Sequence, residues 1–325
     1  MRIVMMGTGT FAEPTLQGLL AGRHEVVGLA TQPDRAVGQE RGSTRQIGGS
    51  MKQIALEHKV PVFQPESINT PEGVAGLKEF RPELLVVAAY GQILSNDVLA
   101  VAPLGGINVH ASLLPKYRGA APIAWAIYHG ETRTGVTIIR MSVRLDAGDM
   151  LAQEAIDILP DETAGELEAR LAPLGARLAL DIVEKLAQGP VAGQPQDKSQ
   201  VTKAPKLKKE NGLLDWSRPA PGVCNQVRAM QPWPTAYTFF HHAGQPPLRL
   251  IVNRAAAREG GLSSALPAGS VIVPQEAGRL LVAAGGGTVV EVLELQPAGK
   301  KRMPAADFLR GHRLQAGDRL GPETP

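Results

Sequence analysis

The chain has 325 residues, 43% of them hydrophobic and 20% charged, enough to pack two domains or one large one. A single cysteine, Cys224, excludes an internal disulfide and fits a reducing compartment, and no apolar run approaches the ~20 residues that span a bilayer, so a cytoplasmic protein is expected. The net charge of +3 hides a split: residues 1–200 hold 18 basic against 22 acidic side chains, residues 201–325 hold 16 against 9, and the basic second part suits a polyanionic partner.

Residues 2–6 (RIVMM) read as a strand, Gly7-Thr8-Gly9-Thr10-Phe11-Ala12 as a tight turn, and Pro14 as the opening of a helix to about Leu20. This partly matches a dinucleotide fingerprint. With a strand over 26–30 and Asp34 soon after, it makes an NAD-dependent oxidoreductase a rival reading. A glycine turn, however, serves any α/β fold whose chain must reverse at a strand end. Residues 33–52 form a long glycine-rich basic loop, carrying Arg35, Arg41, Arg45 and Lys52 and suited to clamp a phosphate-bearing substrate. A helix over 51–58, a short strand over 61–63, a helix from Thr70-Pro71 to about Phe80 and the apolar run 84–89 (LLVVAA) follow. Strands alternating with helices predict an α/β fold, a mostly parallel sheet with helices on both faces.

The most informative stretch is 105–122, GGINVHASLLPKYRGAAP. Residues 107–111 alternate as a strand does, so Asn108 and His110, two apart, share a face. Ser112, Leu113, Leu114 and Pro115 leave the strand as a turn, and Pro122 opens a helix that Gly130 stops. A strand over 135–143 leads to the loop RLDAGDM, which carries Asp146 and Asp149. The sheet can bring Asp146 beside His110. Asn, His and Asp without a nucleophilic Ser or Cys suit direct transfer of an acyl carbon to an amine. The amide would bind the oxyanion, the imidazole would shuttle a proton or share the oxyanion, and the carboxylate would orient the imidazole. The seven histidines show no HxxxH or HExxH spacing, so no metal is expected.

A strand-like run over 151–159 and a capping box over 163–166 precede a long amphipathic helix to about Gln188. Residues 190–208 read as a linker with a basic edge that includes Lys206 and Lys208, with Lys209 following. After a helix over 221–230, strand-like runs at 236–240, 248–252, 270–273, 279–283 and 288–295 predict a small antiparallel barrel. The division expected is therefore a catalytic domain over 1–189, the linker, a second domain over 209–314, and a flexible tail over 315–325. Nothing in the helix patterning asks for a partner subunit, so a monomer is expected.

The stretch Asn108-Val-His110-Ala-Ser112-Leu113-Leu114-Pro115, its continuation Tyr117-Arg118-Gly119-Ala-Ala-Pro122, and Asp146-Ala-Gly-Asp149 resemble the folate-dependent formyltransferases. The resemblance implies a catalytic triad of Asn108, His110 and Asp146 and a folate site that uses Ser112, Leu113, Leu114 and Pro115. The opening GTGTFA is similar to that family's start, which counts against NAD. The stretches Lys208-Lys-Glu-Asn-Gly-Leu-Leu-Asp-Trp216 and Val227-Arg228-Ala-Met-Gln-Pro232-Trp233-Pro234 resemble the branch whose acceptor is initiator methionyl-tRNA. That branch implies a Rossmann-like domain followed by an OB-like β-barrel. It also implies 10-formyltetrahydrofolate as donor and a tRNA partner met by the 33–52 loop (Arg41, Arg45) and by Lys206, Lys208 and Lys209. The same chemistry on an amino-sugar nucleotide is the alternative.

Overall fold

The computed structural model describes residues 1–34, 50–258, 266–273 and 278–324. In chain order the first elements are β1 (Arg2–Gly7), α1 (Glu13–Ala21), β2 (Glu25–Ala30), α2 (Ser50–Glu57), β3 (Val62–Phe63), α3 (Pro71–Glu79), β4 (Leu84–Ala88), α4 (Asn96–Leu99) and β5 (Gly106–His110). They are followed by β6 (Arg118–Gly119), α5 (Pro122–Tyr128), β7 (Arg133–Arg140), β8 (Met150–Asp157), α6 (Ala164–Gln188) and β9 (Lys203–Ala204). The strand LLVVA of β4 is buried at every position, as a strand covered on both faces must be, and it occupies the centre of a sheet ordered β3-β2-β1-β4-β5-β7-β8.

Pairing from β3 through β5 is parallel, while β7 runs antiparallel to β5 and β8 antiparallel to β7, so the sheet is mostly parallel. Strand order reverses direction between β1 and β4, the kind of place where open α/β sheets bind ligands. Helix starts follow their sequence signals: the Thr70 hydroxyl accepts from Gly73 N at α3, and the Ser95 hydroxyl accepts from Val98 N at α4. Helix α6 buries Leu167, Leu171, Leu178, Ile182 and Leu186 along one stripe. Its Gly175 lets the helix close onto the sheet, because a Cβ there would lie 2.7 Å from Val109 Cγ1.

By internal packing the chain divides into two units. One comprises Met1–Ile123, Arg133–Ile158 and Gly165–Lys206; the other comprises Leu207–Pro325 with Ala124–Thr132 and Leu159–Ala164. The segment expected as a linker is thus built into the first unit as far as Lys206. Within it, β9 pairs in parallel with β6, and Gln196 is buried.

The second unit contains α7 (Ala220–Ala229), β10 (Tyr237–His241), β11 (Leu248–Arg258), β12 (Val271–Ile272), β13 (Leu280–Ala284), β14 (Thr288–Pro297), β15 (Met303–Pro304), α8 (Ala305–Gly311) and β16 (Arg319–Gly321). Its antiparallel sheet runs β12-β13-β14-β11-β10-β16, with β15 on β14. The two ends meet: Ser270 bridges Arg319, Val271 N donates to Asp318 O at 2.9 Å, and Leu320 N donates to Gly269 O at 2.7 Å. The barrel is therefore closed by residues that the sequence reads as a loose tail. Phe308 of α8 packs edge-on against Phe240, ring centroids 5.9 Å apart. Among the described residues no helix is long and apolar enough to cross a membrane.

Candidate active site

Strand β5 carries Asn108 half-buried and His110 buried, and the alternation of the strand puts them on one face. The loop after β7 folds back over that face and delivers Asp146. Its carboxylate stands 3.5 Å from Asn108 Nδ2 and 3.6 Å from His110 Nδ1, and it accepts a hydrogen bond from Gly119 N at 2.9 Å. The three residues singled out in the sequence thus converge, although they lie on two separate segments. The Asp146 backbone has φ +48°, a left-handed conformation that a non-glycine residue holds only where its surroundings enforce it. Gly119, φ +133°, supplies the facing N–H from a backbone so close to Ala204 that a Cβ would lie 2.3 Å from its carbonyl oxygen.

The imidazole has defined roles for its two nitrogens. Nε2 lies 3.0 Å from the Tyr117 carbonyl oxygen, which can only accept, so Nε2 carries a proton. That leaves Nδ1 as the nitrogen that faces Asp146. The contacts of 3.5 and 3.6 Å are longer than working hydrogen bonds. The Asn108 amide therefore keeps donor capacity for a further oxygen, and His110 Nδ1 would donate to one only when protonated.

The turn after β5 is braced from inside. Ser112 Oγ donates to Lys116 O at 2.7 Å, Thr137 Oγ1 donates to Ser112 O at 2.6 Å, and Gln153 Nε2 donates to Leu114 O at 2.9 Å. Leu114 N donates to Thr137 Oγ1 at 3.1 Å. The Ser112 hydroxyl is consequently engaged within the turn, and Leu113 and Pro115 are its half-buried side chains. Apolar side chains stand exposed on the neighbouring loops: Ile93 after β4, and Val143 and Leu145 on the loop that holds Asp146. Flat aromatic ligands are stabilised on such apolar walls with a few polar groups among them.

The sequence does not single out the residues that hold the loops carrying Asp146 and Gly119. Tyr117 N donates to Thr202 Oγ1 at 2.8 Å, Arg118 N donates to Thr202 O at 2.9 Å, and Gln196 Nε2 donates to Asp146 O at 2.8 Å. All lie in or against the segment taken as linker, where Pro, Gly and Gln mask any regular pattern. Lys206, Lys208 and Lys209 are exposed. Arg41 and Arg45 lie outside the described residues.

The features behind the NAD reading serve other contacts. Asp34 is paired with Lys52 and accepts from Gln64 Nε2 at 3.0 Å, and chiefly the Lys52 hydrogen bond holds its carboxyl below the usual range. In the glycine turn, the Thr8 hydroxyl accepts from Gln32 N and the Thr10 hydroxyl donates to Glu168, so the hydroxyls are tied to protein.

A family model described as formyl transferase matches residues 1–183, and one described as formyl transferase, C-terminal domain, matches residues 206–313. The chain is similar to the methionyl-tRNA formyltransferase of Solibacter usitatus, 46% identical over 99% of both chains. It is likewise similar to the enzyme of that name in Geobacter sulfurreducens (44% identical, 99% of this chain and 97% of the relative) and in Bacillus subtilis (42%, 98% of each). Among solved structures it is similar in fold to WlaRD, a sugar 3N-formyl transferase crystallised in the presence of dTDP and 5-N-formyl-THF. That likeness has a TM-score of 0.65 at 15% identity and covers 93% of this chain and 99% of the other. An N-formyltransferase from Helicobacter canadensis gives a TM-score of 0.64 at 15% identity, covering 89% and 98%.

Proposed function

The chain belongs to the formyl transferase family, and from that premise we propose that it moves the formyl group of 10-formyltetrahydrofolate to the α-amine of methionine on initiator methionyl-tRNA. The observation that carries the reading is the convergence of Asn108, His110 and Asp146 on one face of β5. It is joined to relatives above 40% identity that match almost end to end.

In this reading the neutral amine attacks the formyl carbon and a C–N bond forms. The carbonyl π electrons move to oxygen, and the oxyanion is met by Asn108 Nδ2 and, when protonated, by His110 Nδ1. The attacking amine loses one proton toward the Asp146 carboxylate, directly or through water. The bond from the formyl carbon to N10 of the folate then breaks and N10 takes up a proton, so the formyl group leaves tetrahydrofolate behind. Asn108, His110 and Asp146 are the catalytic residues. Of Ser112, Leu113, Leu114 and Pro115, the half-buried Leu113 and Pro115 would wall the folate with the exposed apolar residues of the adjoining loops, while the buried Ser112 and Leu114 would set the shape of the turn beneath it. Because the polar atoms of Ser112 are engaged inside the turn, this wall acts through shape more than through hydrogen bonds from that side chain.

The basic segment with Lys206, Lys208 and Lys209 would meet the tRNA backbone, as the excess of basic residues over 201–325 supports. Arg41 and Arg45 are assigned to the acceptor stem on sequence grounds alone. We take the enzyme as a cytoplasmic monomer that divides into a catalytic part, its basic connection and a tRNA-binding barrel.

The test is formyl transfer from 10-formyltetrahydrofolate to initiator methionyl-tRNA, with methionyl elongator tRNA and an amino-sugar nucleotide in parallel. Transfer to the initiator alone is expected. Transfer only to the sugar nucleotide would keep the chemistry and replace the acceptor.

A further inference from the structure

The Asp146 loop is held by a side chain that the reaction does not touch. Gln196, 9% exposed, donates from Nε2 to Asp146 O at 2.8 Å and to Gly148 O at 2.7 Å. Its Oε1 accepts from Arg118 Nε at 3.1 Å and from the same guanidinium's Nη2 at 2.7 Å. A glutamine amide has two N–H donors and two acceptor sites, and all four are used here. The orientation of the amide is fixed by its partners, because carbonyls only accept and a guanidinium only donates. Arg118 is in turn the residue before Gly119, whose N–H holds the Asp146 carboxylate. The contacts form a closed ring: Asp146 backbone, Gln196, Arg118, Gly119 N, Asp146 carboxylate.

We infer that Gln196 is a positioning residue for the formyl transfer, fixing the left-handed backbone of Asp146 and the strand that presents Gly119 so that the carboxylate faces Asn108 and His110. The inference rests on the catalytic reading of Asp146 given above. Two observations separate it from mere packing. Asp146 adopts φ +48°, a conformation that costs energy unless its carbonyl is held, and Gln196 holds that carbonyl. Neighbouring anchor points of the same segment flank this pair of loops: Gln194 and Met150, at the start of β8, exchange both backbone hydrogen bonds, at 2.8 and 2.9 Å, and β9 pairs with β6. The stretch from 194 to 204 is thus a strap across both catalytic loops.

Gln196→Met keeps the length and volume of the side chain and removes every hydrogen bond. It is expected to lower kcat by about 30- to 100-fold, the penalty of a reacting group misplaced by a fraction of an ångström to an ångström, with KM for 10-formyltetrahydrofolate within about twofold of wild type. Gln196→Glu keeps a partner for Arg118 but sets oxygen against the two carbonyls, and is expected to lose at least as much turnover. In the Asp146→Ala background, Gln196→Met should cost almost nothing more, because the group it positions is gone. Binding of 5-formyltetrahydrofolate and the thermal midpoint report folding in each variant. Full turnover in Gln196→Met overturns the inference, as do losses that add in full to Asp146→Ala. Should Gln196→Met not fold, wild-type turnover in Gln196→Glu overturns it equally. An Asp146→Ala enzyme that works like wild type removes the catalytic reading itself, a different result from an inactive Asp146→Ala beside an active Gln196→Met.

Discussion

The two units treat the edges of their sheets in opposite ways. The first leaves its sheet open, ending on a two-residue strand, β3, at one side and on β8 at the other. Its parallel strands from β1 to β5 are separated in sequence by helices, and Asn108 and His110, the residues proposed for its chemistry, sit on the strand beside the centre. The second unit removes its edges by closure, which pairs Phe239 with Gly321 and Ser270 with Arg319. An open sheet can concentrate function in one short segment, because each strand is anchored by its own crossover. A closed barrel spreads its integrity over the whole chain, and its last strand matters as much as its first.

The sharpest test of that contrast separates turnover from stability. His110→Ala and Asn108→Ala should each lower kcat by about 10²- to 10³-fold, the loss seen when a donor to a developing oxyanion is removed. Folate affinity should stay near wild type in both, and so should the thermal midpoint of Asn108→Ala, whereas His110→Ala should melt a few degrees lower, because its buried ring leaves the Tyr117 carbonyl without a donor. Steady-state kinetics beside thermal melting would show it. A variant that kept its turnover would remove the site from β5.

A change at the barrel's closing strand should do the reverse. Leu320 is 3% exposed, and its backbone N–H holds Gly269. Leu320→Ala is expected to destabilise the barrel by about 2–4 kcal/mol through lost burial and the cavity left behind. That corresponds to a fall of roughly 10 °C in its melting transition. Binding of 5-formyltetrahydrofolate should be unaffected at temperatures where the variant is folded. An unchanged melting profile would mean that the strand is an ornament on an otherwise self-sufficient sheet.

The contrast also explains what could be read from the sequence. Asn108 and His110 were legible because a two-residue spacing on a strand fixes their common face, and LLVVAA announced the central strand by its unbroken apolar run. Asp146 was legible as a carboxylate in a glycine-flanked loop, though nothing local sets its distance to His110. Residues 319–321 (RLG) offered one apolar side chain among glycines and prolines, too little pattern for a strand. Their extended form comes from partners about 50 and 80 residues away, Gly269 and Phe240. Gln196 and Thr202 stayed hidden for a related reason. A polar side chain that braces a loop has no periodicity to betray it, and the lysines around the two residues made the segment look like a solvated connection.

The smallest effect concerns how the barrel wall is tied by charge. Glu291 on β14 accepts from Arg279 at 3.1 and 2.9 Å and pairs with Arg258 of β11, and chiefly the Arg279 hydrogen bonds hold its carboxyl below the ordinary value of 4.5. A carboxylate with a lowered folded-state pKa stabilises fully above its unfolded value and loses that contribution as pH falls through the folded value. Both guanidinium groups are more than one-third solvent-accessible, at 44% and 35%, so water screens the pairing. Glu291→Gln should therefore cost only about 1 kcal/mol at pH 7, a few degrees of melting temperature. The gap between variant and wild type should close as pH is lowered from just above 4.5 to below the depressed folded value, where the wild-type carboxyl is itself neutral. A gap that persisted undiminished in acid would show that Gln fails at this position for its shape, and that the three side chains hold the wall by packing instead of charge.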